Sequence, residues 1–235
     1  MPPLIYVACD YNSQRENLDL ARELASSVSS DRFGFKVNLD TVLSFGQDSL
    51  SPYSVVREML SLGKPLFVDL KMWNGARTMA NIAEGCASLG VDMINMYPHA
   101  EGKFMTQVVK AIEGSNTKLF GLTVLTHYTD DYCRAIYGLK LVETVRMLTE
   151  ISVESGAHGI ILPGTQLENV KDFKTLKLVP AIRPDWFMEK GANYQEQTVT
   201  PQEAISGGAD ILVVGSPILK AANKAEALER IISEI

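Results

Sequence analysis

The sequence has few cysteines, few histidines and no excess of basic residues. Its three cysteines form no CxxC pair and its three histidines lie far apart, so neither a disulfide framework nor a zinc site is indicated. Lys and Arg number 22 against 28 Asp and Glu, and the net charge of −6 argues against a nucleic-acid surface. No apolar run is long enough to span a bilayer, and "MPPLIYVACD" lacks the basic start of a signal peptide. We therefore expect a cytoplasmic protein with no nucleic-acid or membrane partner.

Short apolar runs alternate with amphipathic stretches along the whole chain. The runs predict eight strands, at 4–9, 32–38, 65–71, 91–97, 118–126, 158–163, 176–182 and 210–215. A stretch with the three- and four-residue apolar spacing of a helix follows each run. With no linker or composition shift, this pattern predicts a single domain, residues 1–235, folded as a (β/α)₈ TIM barrel. An open doubly wound sheet is the alternative, but the turn after the first run, "DYNSQREN", has no glycine.

The third predicted strand, "PLFVDLK", carries the opposite charges Asp69 and Lys71 in an otherwise apolar run. Strand periodicity places both on the inner face with Phe67, and the same alternation points Lys36 inward from the second strand. A salt-bridged plug is one interpretation, but buried charges contribute little stability compared with apolar filling. Active sites of barrels lie at the C-terminal ends of the strands, so we expect these charges to converge at an active site. The same rule selects Asp10, His99, Thr126, His127, Arg183, Gly215 and Ser216.

The arrangement of Lys36, Asp69-x-Lys71 and Thr78 resembles the orotidine 5′-phosphate decarboxylase family. The segments "VACDY", "GLTVLT" (121–126), "LVPAIRP" (178–184) and "TVTPQEAISGGADILVVGSPI" (198–218) support the resemblance across nearly the whole chain. D-x-K alone is a weak signal, whereas the ordered set is strong. The resemblance implies a carboxy-lyase of pyrimidine biosynthesis that converts orotidine monophosphate to uridine monophosphate and carbon dioxide. It also implies a homodimer of (β/α)₈ barrels that uses no metal or organic cofactor.

The resemblance further implies roles for individual residues. Asp10 and Lys36 would hold the ribose hydroxyls, and Asp69 would lie beside the carboxylate of the substrate. Lys71 would stabilise negative charge at C6 and then protonate it, because a fixed ammonium stabilises a carbanion better than mobile water does. The other implied substrate-binding positions are Thr78 offered to the partner's site, Thr126, Pro180, Gln195 on a lid over 182–197, and the backbone of Gly215 and Ser216 around the phosphate.

Four positions depart from the family pattern. Asn74 replaces a second catalytic aspartate that reaches into the partner's site, which changes the charged array from neutral to +1. Ala181 replaces a glycine, and His127 replaces a serine that bonds the pyrimidine. His127 could contact the base itself or simply begin a loop. Ser216 replaces an arginine that grips the phosphate, a contact that is strong enough to need a substitute cation. The candidates for that cation are Arg183, Lys190 and Arg77.

Two other functions remain open. One is a lyase or decarboxylase of the same suprafamily that acts on another phosphorylated sugar or nucleotide. Enzymes of that kind use the D-x-K strand with magnesium, but they usually have a glutamate at the position of Lys36. The other is a nucleotide-binding barrel without catalysis. Retention of Lys36, Asp69 and Lys71 argues against it, because unneeded buried charges would be lost.

We expect Asn74 to slow catalysis and to strengthen binding of the substrate carboxylate, because one of two repelling carboxylates is missing. Asn74→Asp should raise kcat and weaken the binding of carboxylate-bearing nucleotides, each by about tenfold, or about 1.4 kcal/mol. Steady-state kinetics and calorimetry measure the two effects, and uridine monophosphate serves as a control ligand without a carboxylate. If kcat and carboxylate affinity both stay unchanged, the electrostatic argument is wrong.

Overall fold

Eight parallel strands close into a barrel in which each strand pairs with the next and β8 pairs with β1. The coordinates are a computed structural model that describes residues 4–45, 49–188 and 197–235. The strands are β1 (Leu4–Cys9), β2 (Phe33–Asn38), β3 (Leu66–Met72), β4 (Met93–Met96), β5 (Lys118–Leu122), β6 (Gly159–Ile161), β7 (Leu176–Val179) and β8 (Ile211–Val214). The predicted (β/α)₈ TIM barrel is therefore confirmed.

Helices occupy the connections between the strands. In the described part they are α1 (Gln14–Ser27), α2 (Leu39–Val42), α3 (Pro52–Ser61), α4 (Ala76–Leu89), α5 (Gly102–Ala111), α6 (Asp130–Tyr137), α7 (Leu141–Glu154), α8 (Asp185–Met188), α9 (Pro201–Ser206), α10 (Ser216–Leu219) and α11 (Lys224–Ser233), with 3₁₀ helices at Pro98–Ala100 and Gly164–Val170. Among the residues that the structure describes, no helix has the length and apolar character needed to cross a membrane.

Several predicted strands are shorter in the structure, and one connection has a different helix type. The fifth strand was expected to reach residue 126 but ends at Leu122, so Thr126 lies in the following loop. After β6 the chain forms a 3₁₀ helix instead of the expected α-helix. In that segment Gly164, Leu167 and Val170 are buried at three-residue spacing, which matches the three residues per turn of a 3₁₀ helix.

The two faces of each strand have different partners, as the alternation predicted. Val7, Phe35 and Val68 belong to the apolar core between the barrel and its helices. Inside the barrel, Tyr6 and Phe67 meet edge to face with ring centroids 5.9 Å apart, within a second apolar cluster. This inner cluster fills the barrel below its mouth, so the next inward residues of β1, β2 and β3 lie at the C-terminal ends of the strands.

Ala181 follows β7 with a φ of 61°, in the left-handed region that glycine adopts without strain. This is the position where the family pattern has glycine. The methyl group costs about 1–2 kcal/mol in that conformation. The residue also lines the cavity described below, so the strain lies at the candidate site.

Ala181→Gly should raise the free energy of unfolding by about 1 kcal/mol, because relief of this strain exceeds the added flexibility of the unfolded chain. Urea unfolding monitored by circular dichroism measures the change. The matched control is Ala80→Gly within α4, which should destabilise the protein by about 1 kcal/mol. Equal destabilisation by both substitutions would contradict the assignment of strain to Ala181.

Candidate active site

Four charged side chains at the C-terminal ends of the first three strands form a continuous row at the barrel mouth. Lys36 Nζ lies 3.0 Å from Asp10 Oδ1 and 3.5 Å from Asp69 Oδ2. Lys71 Nζ lies 2.6 Å from the same Oδ2 of Asp69. The charges alternate in sign along the row, and Lys36 and Asp69 are buried. The predicted convergence of Lys36, Asp69 and Lys71 is confirmed, while their catalytic roles remain predictions.

Asn38 joins the row at the end formed by Asp10 and Lys36. Its Oδ1 accepts a hydrogen bond from Lys36 Nζ at 2.8 Å, and its Nδ2 donates to Asp10 Oδ1 at 2.8 Å. It therefore closes a three-membered ring of contacts with Asp10 and Lys36. Asn38 is the last residue of β2, on the same inward face as Lys36, and that position was the signal by which the sequence could have identified it.

Asn95 supports the other end of the row from below, and it was also missed from the sequence. Its Nδ2 donates to Asp69 Oδ1 at 2.8 Å, and its Oδ1 accepts from the backbone N–H of Lys71 at 2.8 Å. The side chain is 1% exposed. An uncharged amide within the apolar run of β4 carried no pattern that marked it as functional, apart from its inward position.

The charges in the row stabilise one another against burial. Burial alone would lower the pKa of Lys36, but the carboxylates of Asp10 and Asp69 outweigh it and raise that pKa above its usual range. Burial likewise opposes ionisation of Asp69. The ammonium groups of Lys36 and Lys71 outweigh burial there and lower the pKa of Asp69. Both groups are therefore charged at neutral pH, as a fixed electrostatic site requires.

The row lies in a cavity of about 490 Å³ at the C-terminal ends of the strands. The predicted site residues that line it are Asp10, Lys36, Asp69, Lys71, Thr126, Pro180, Arg183, Gly215 and Ser216. Across the described residues, no group of three or more His, Cys, Asp or Glu side chains is arranged to hold a metal ion. The cavity brings together residues from both the charged row and the loops after β7 and β8.

Three predicted residues do not line this cavity within the single chain. Asn74 is exposed, and its Oδ1 accepts the backbone N–H of Gly75 at 2.7 Å. Thr78 is half-buried in the first turn of α4. The partner-subunit roles implied for Asn74 and Thr78 stay predictions. His127 is exposed with its ring 5.2 Å from that of Tyr128, which favours the interpretation that it begins a loop. Gln195, on the expected lid, lies outside the described residues.

Two further cations line the cavity on the side of β7 and β8. Arg183 is buried, its Nη1 donates to the carbonyl of Ile182 at 2.9 Å, and burial lowers its pKa. Lys220 lies one helical turn after Ser216 and was not selected from the sequence. With the row, the cavity carries four cations and two carboxylates, a formal net charge of +2. Of the other candidate cations, Arg77 is exposed and does not line the cavity, and Lys190 lies outside the described residues.

Asp69→Asn should destabilise the protein by about 3 kcal/mol at pH 7, because it leaves two neighbouring ammonium groups without their shared carboxylate. The folded pKa of Asp69 is below its unfolded value of about 3.9. The unfolded chain therefore takes up the proton first as the pH falls, and the contribution of Asp69 is lost through the folded pKa. The difference between the proteins should narrow below about pH 4.

Urea unfolding at pH 7, 5 and 3 measures this difference. The exposed pair of Arg146 and Asp172 provides a control, because solvent screens it. Asp172→Asn should change stability little at any of these pH values. A gap between the native protein and Asp69→Asn that stays constant with pH contradicts the ion-pair account.

The chain matches the family described as "Orotidine 5'-phosphate decarboxylase / HUMPS family" over residues 3–231. An orotidine 5'-phosphate decarboxylase of Paramagnetospirillum magneticum is 31% identical over 244 residues, covering 98% of this chain and 97% of that protein. That of Nautilia profundicola is 29% identical, covering 97% of each chain. The crystal structure of the Lactobacillus acidophilus enzyme of the same name has the same fold, with a TM-score of 0.79 at 24% identity over 100% of this chain and 99% of that chain. The chain therefore belongs to the orotidine 5'-phosphate decarboxylase / HUMPS family.

Proposed function

We propose that this protein is a carboxy-lyase that converts orotidine monophosphate to uridine monophosphate and carbon dioxide in pyrimidine biosynthesis. The observation that carries the proposal is the buried carboxylate of Asp69 between two ammonium groups in the cavity at the barrel mouth. Membership of the family and the names of the relatives support it. The row is the kind of fixed charge distribution that stabilises a carbanion.

Lys71 is the acid of the reaction. When the bond between C6 and the carboxylate breaks, carbon dioxide leaves and the bonding electron pair stays on C6. The ammonium of Lys71 stabilises that pair and then transfers a proton to it, forming the C6–H bond of uridine monophosphate. Lys71 is left as a neutral amine and regains its proton from solvent. Its hydrogen bond to Asp69 Oδ2 holds the ammonium in position until the carbanion forms.

Asp69 acts on the ground state. Its Oδ2 already contacts Lys71 and its Oδ1 accepts from Asn95, so the carboxylate is held in place. A substrate carboxylate bound beside it is repelled, and this repulsion is relieved as neutral carbon dioxide leaves. The remote parts of the nucleotide supply the binding energy that holds the two carboxylates together.

The remaining cavity residues suit the ribose and the phosphate. The ring formed by Asp10, Lys36 and Asn38 offers both acceptors and donors to the ribose hydroxyls. The row is neutral as a whole, so the net charge of +2 comes from Arg183 and Lys220. A phosphate monoester carries a charge of about −1.5 to −2 at pH 7. Lys220 therefore serves as the cation that replaces the arginine missing at Ser216, and Arg183 lines the same cavity.

The proposal extends to assembly and location. The protein forms a homodimer in which Asn74 and Thr78 of each subunit face the cavity of the other. Trp73, next to Asn74, is 68% exposed, which suits a surface covered by a second copy. The single domain spans residues 1–235 and works in the cytoplasm, with neither nucleic acid nor membrane as partner.

Lys71→Ala should lower kcat by about 10⁴-fold or more, because both the stabilising charge and the acid are lost. The decrease in ultraviolet absorbance as orotidine monophosphate is consumed measures the rate. Affinity for uridine monophosphate, measured by calorimetry, should change by less than about threefold, since the phosphate and ribose contacts remain.

The matched substitution is Lys220→Ala on the other side of the cavity. It should weaken binding of uridine monophosphate by about tenfold while leaving the weaker binding of uridine unchanged. Native protein that binds uridine monophosphate tightly without turnover indicates a nucleotide-binding barrel. Turnover of only a sugar phosphate with added magnesium indicates the related lyase. Either outcome overturns the proposed function.

A further inference from the structure

The pairing of β3 with β4 is interrupted beside the charged row. Val68 pairs with Ile94 and Met72 pairs with Met96, so three residues of β3 lie opposite one residue of β4. The last of the three, Lys71, has a φ of 46°, a conformation that non-glycine residues adopt only when their surroundings enforce it. Bulges of this kind re-aim side chains near active sites. The interruption therefore determines the backbone position from which the Lys71 side chain extends.

The residue opposite the interruption is Asn95. Both the oxygen and the NH₂ group of its side-chain amide form hydrogen bonds. The backbone N–H of Lys71 can only donate, so the atom it contacts is the amide oxygen. The other end is then the NH₂ group, which donates to Asp69 Oδ1. One rigid, buried amide thus joins the backbone of Lys71 to the carboxylate of Asp69. With Oδ1 occupied, only Oδ2 of Asp69 faces the two ammonium groups.

We propose that Asn95 is a positioning residue for the decarboxylation, which holds Lys71 in its left-handed conformation and fixes the carboxylate plane of Asp69. This inference rests on the proposed function and adds a residue to it. Asn95 does not contact the reacting atoms in this scheme. It determines the position of the Lys71 ammonium relative to C6 of the substrate and to Asp69.

Loss of Asn95 changes both ends of the contact. The N–H of Lys71 no longer has its acceptor, and the backbone relaxes from a conformation that is otherwise unfavourable. Asp69 loses the hydrogen bond at Oδ1, so its carboxylate is held only through the contacts of Oδ2 with Lys36 and Lys71. A displacement of a catalytic group by about 1 Å can cost about 10²-fold in rate. The effect falls on kcat, because the ribose and phosphate contacts are made by other residues.

Asn95→Ala should therefore lower kcat for orotidine monophosphate by about 10²-fold. Affinity for uridine monophosphate should change by less than about threefold, which separates a positioning role from collapse of the cavity. The pKa of the Asp69 carboxyl, followed by carbon-13 NMR, should rise because a donor to its ionised form is lost. The other groups that face Asp69 are Lys36, Lys71 and Tyr97, and they are unchanged in this variant.

Asn95→Asp is the second variant, and it keeps the size of the side chain. Its carboxyl oxygen can still accept from the N–H of Lys71, but its other oxygen faces Asp69 Oδ1 and repels it. At low pH a proton shared by the two carboxyls restores a donor between them. The kcat of Asn95→Asp relative to that of the native protein should therefore recover as the pH is lowered, whereas that of Asn95→Ala should not.

Asp92→Ala is the matched control on the same pair of strands. Asp92 Oδ2 accepts the backbone N–H of Leu66 at 2.7 Å, at the opposite end of β3. The substitution removes a comparable hydrogen bond to the backbone of β3, but far from the cavity. It should lower the stability of the protein while leaving kcat and its pH dependence unchanged.

Folded Asn95→Ala with native kcat overturns the inference, and so does Asn95→Asp whose relative kcat does not recover at low pH. If Asn95→Ala does not fold, as judged by circular dichroism, the isosteric variant decides. If the native protein does not decarboxylate orotidine monophosphate, the proposed function fails. The NMR titration then decides separately on Asn95, because an Asp69 pKa that is unchanged in Asn95→Ala shows that the contact does not hold the carboxylate.

Discussion

The carboxylate of Asp69 is the interaction on which the mouth of the barrel depends. Its Oδ2 is shared by the ammonium groups of Lys36 and Lys71, and its Oδ1 is held by Asn95. Apolar side chains of the same volume would stabilise the barrel at least as well, since buried ion pairs seldom repay their desolvation. The row is therefore costly for folding alone. Its retention is explained by chemistry that needs charges already in place before the substrate arrives.

The closed barrel provides the surroundings in which such a row can persist. The inner layer that includes Tyr6 and Phe67 fills the barrel beneath the row and keeps water away from its lower side. The low polarity of that layer strengthens each contact between charges above it. The parallel strands bring Lys36 and Asp69 to the same edge, where β2 and β3 are neighbours. The apolar layers supply the stability of the fold, and the polar residues at the mouth are available for binding and chemistry.

The elements that could be predicted from the sequence are those that follow a strict period. Inward and outward residues alternate in every strand, so the positions of Lys36 and Asp69 followed from their neighbours. Asn95 could not be recognised, because a buried amide differs from its apolar neighbours only through partners on another strand. Lys220 was missed for a different reason. Its approach to the cavity depends on the turn at Gly215, whose φ of −115° and ψ of −93° follow no sequence pattern.

The departures from the family pattern become coherent when charge is considered over the whole cavity. Orotidine monophosphate brings a carboxylate and a phosphate, close to three negative charges, to a cavity of net charge +2. An aspartate at position 74 of a partner subunit would reduce that charge, whereas Asn74 preserves it. In the proposed function, Lys220 supplies the cation that Ser216 cannot. On the proposed function, both features strengthen binding of the substrate. In the same proposal, Asn74 also removes part of the repulsion that an aspartate would release in the transition state, so affinity is gained at the expense of rate.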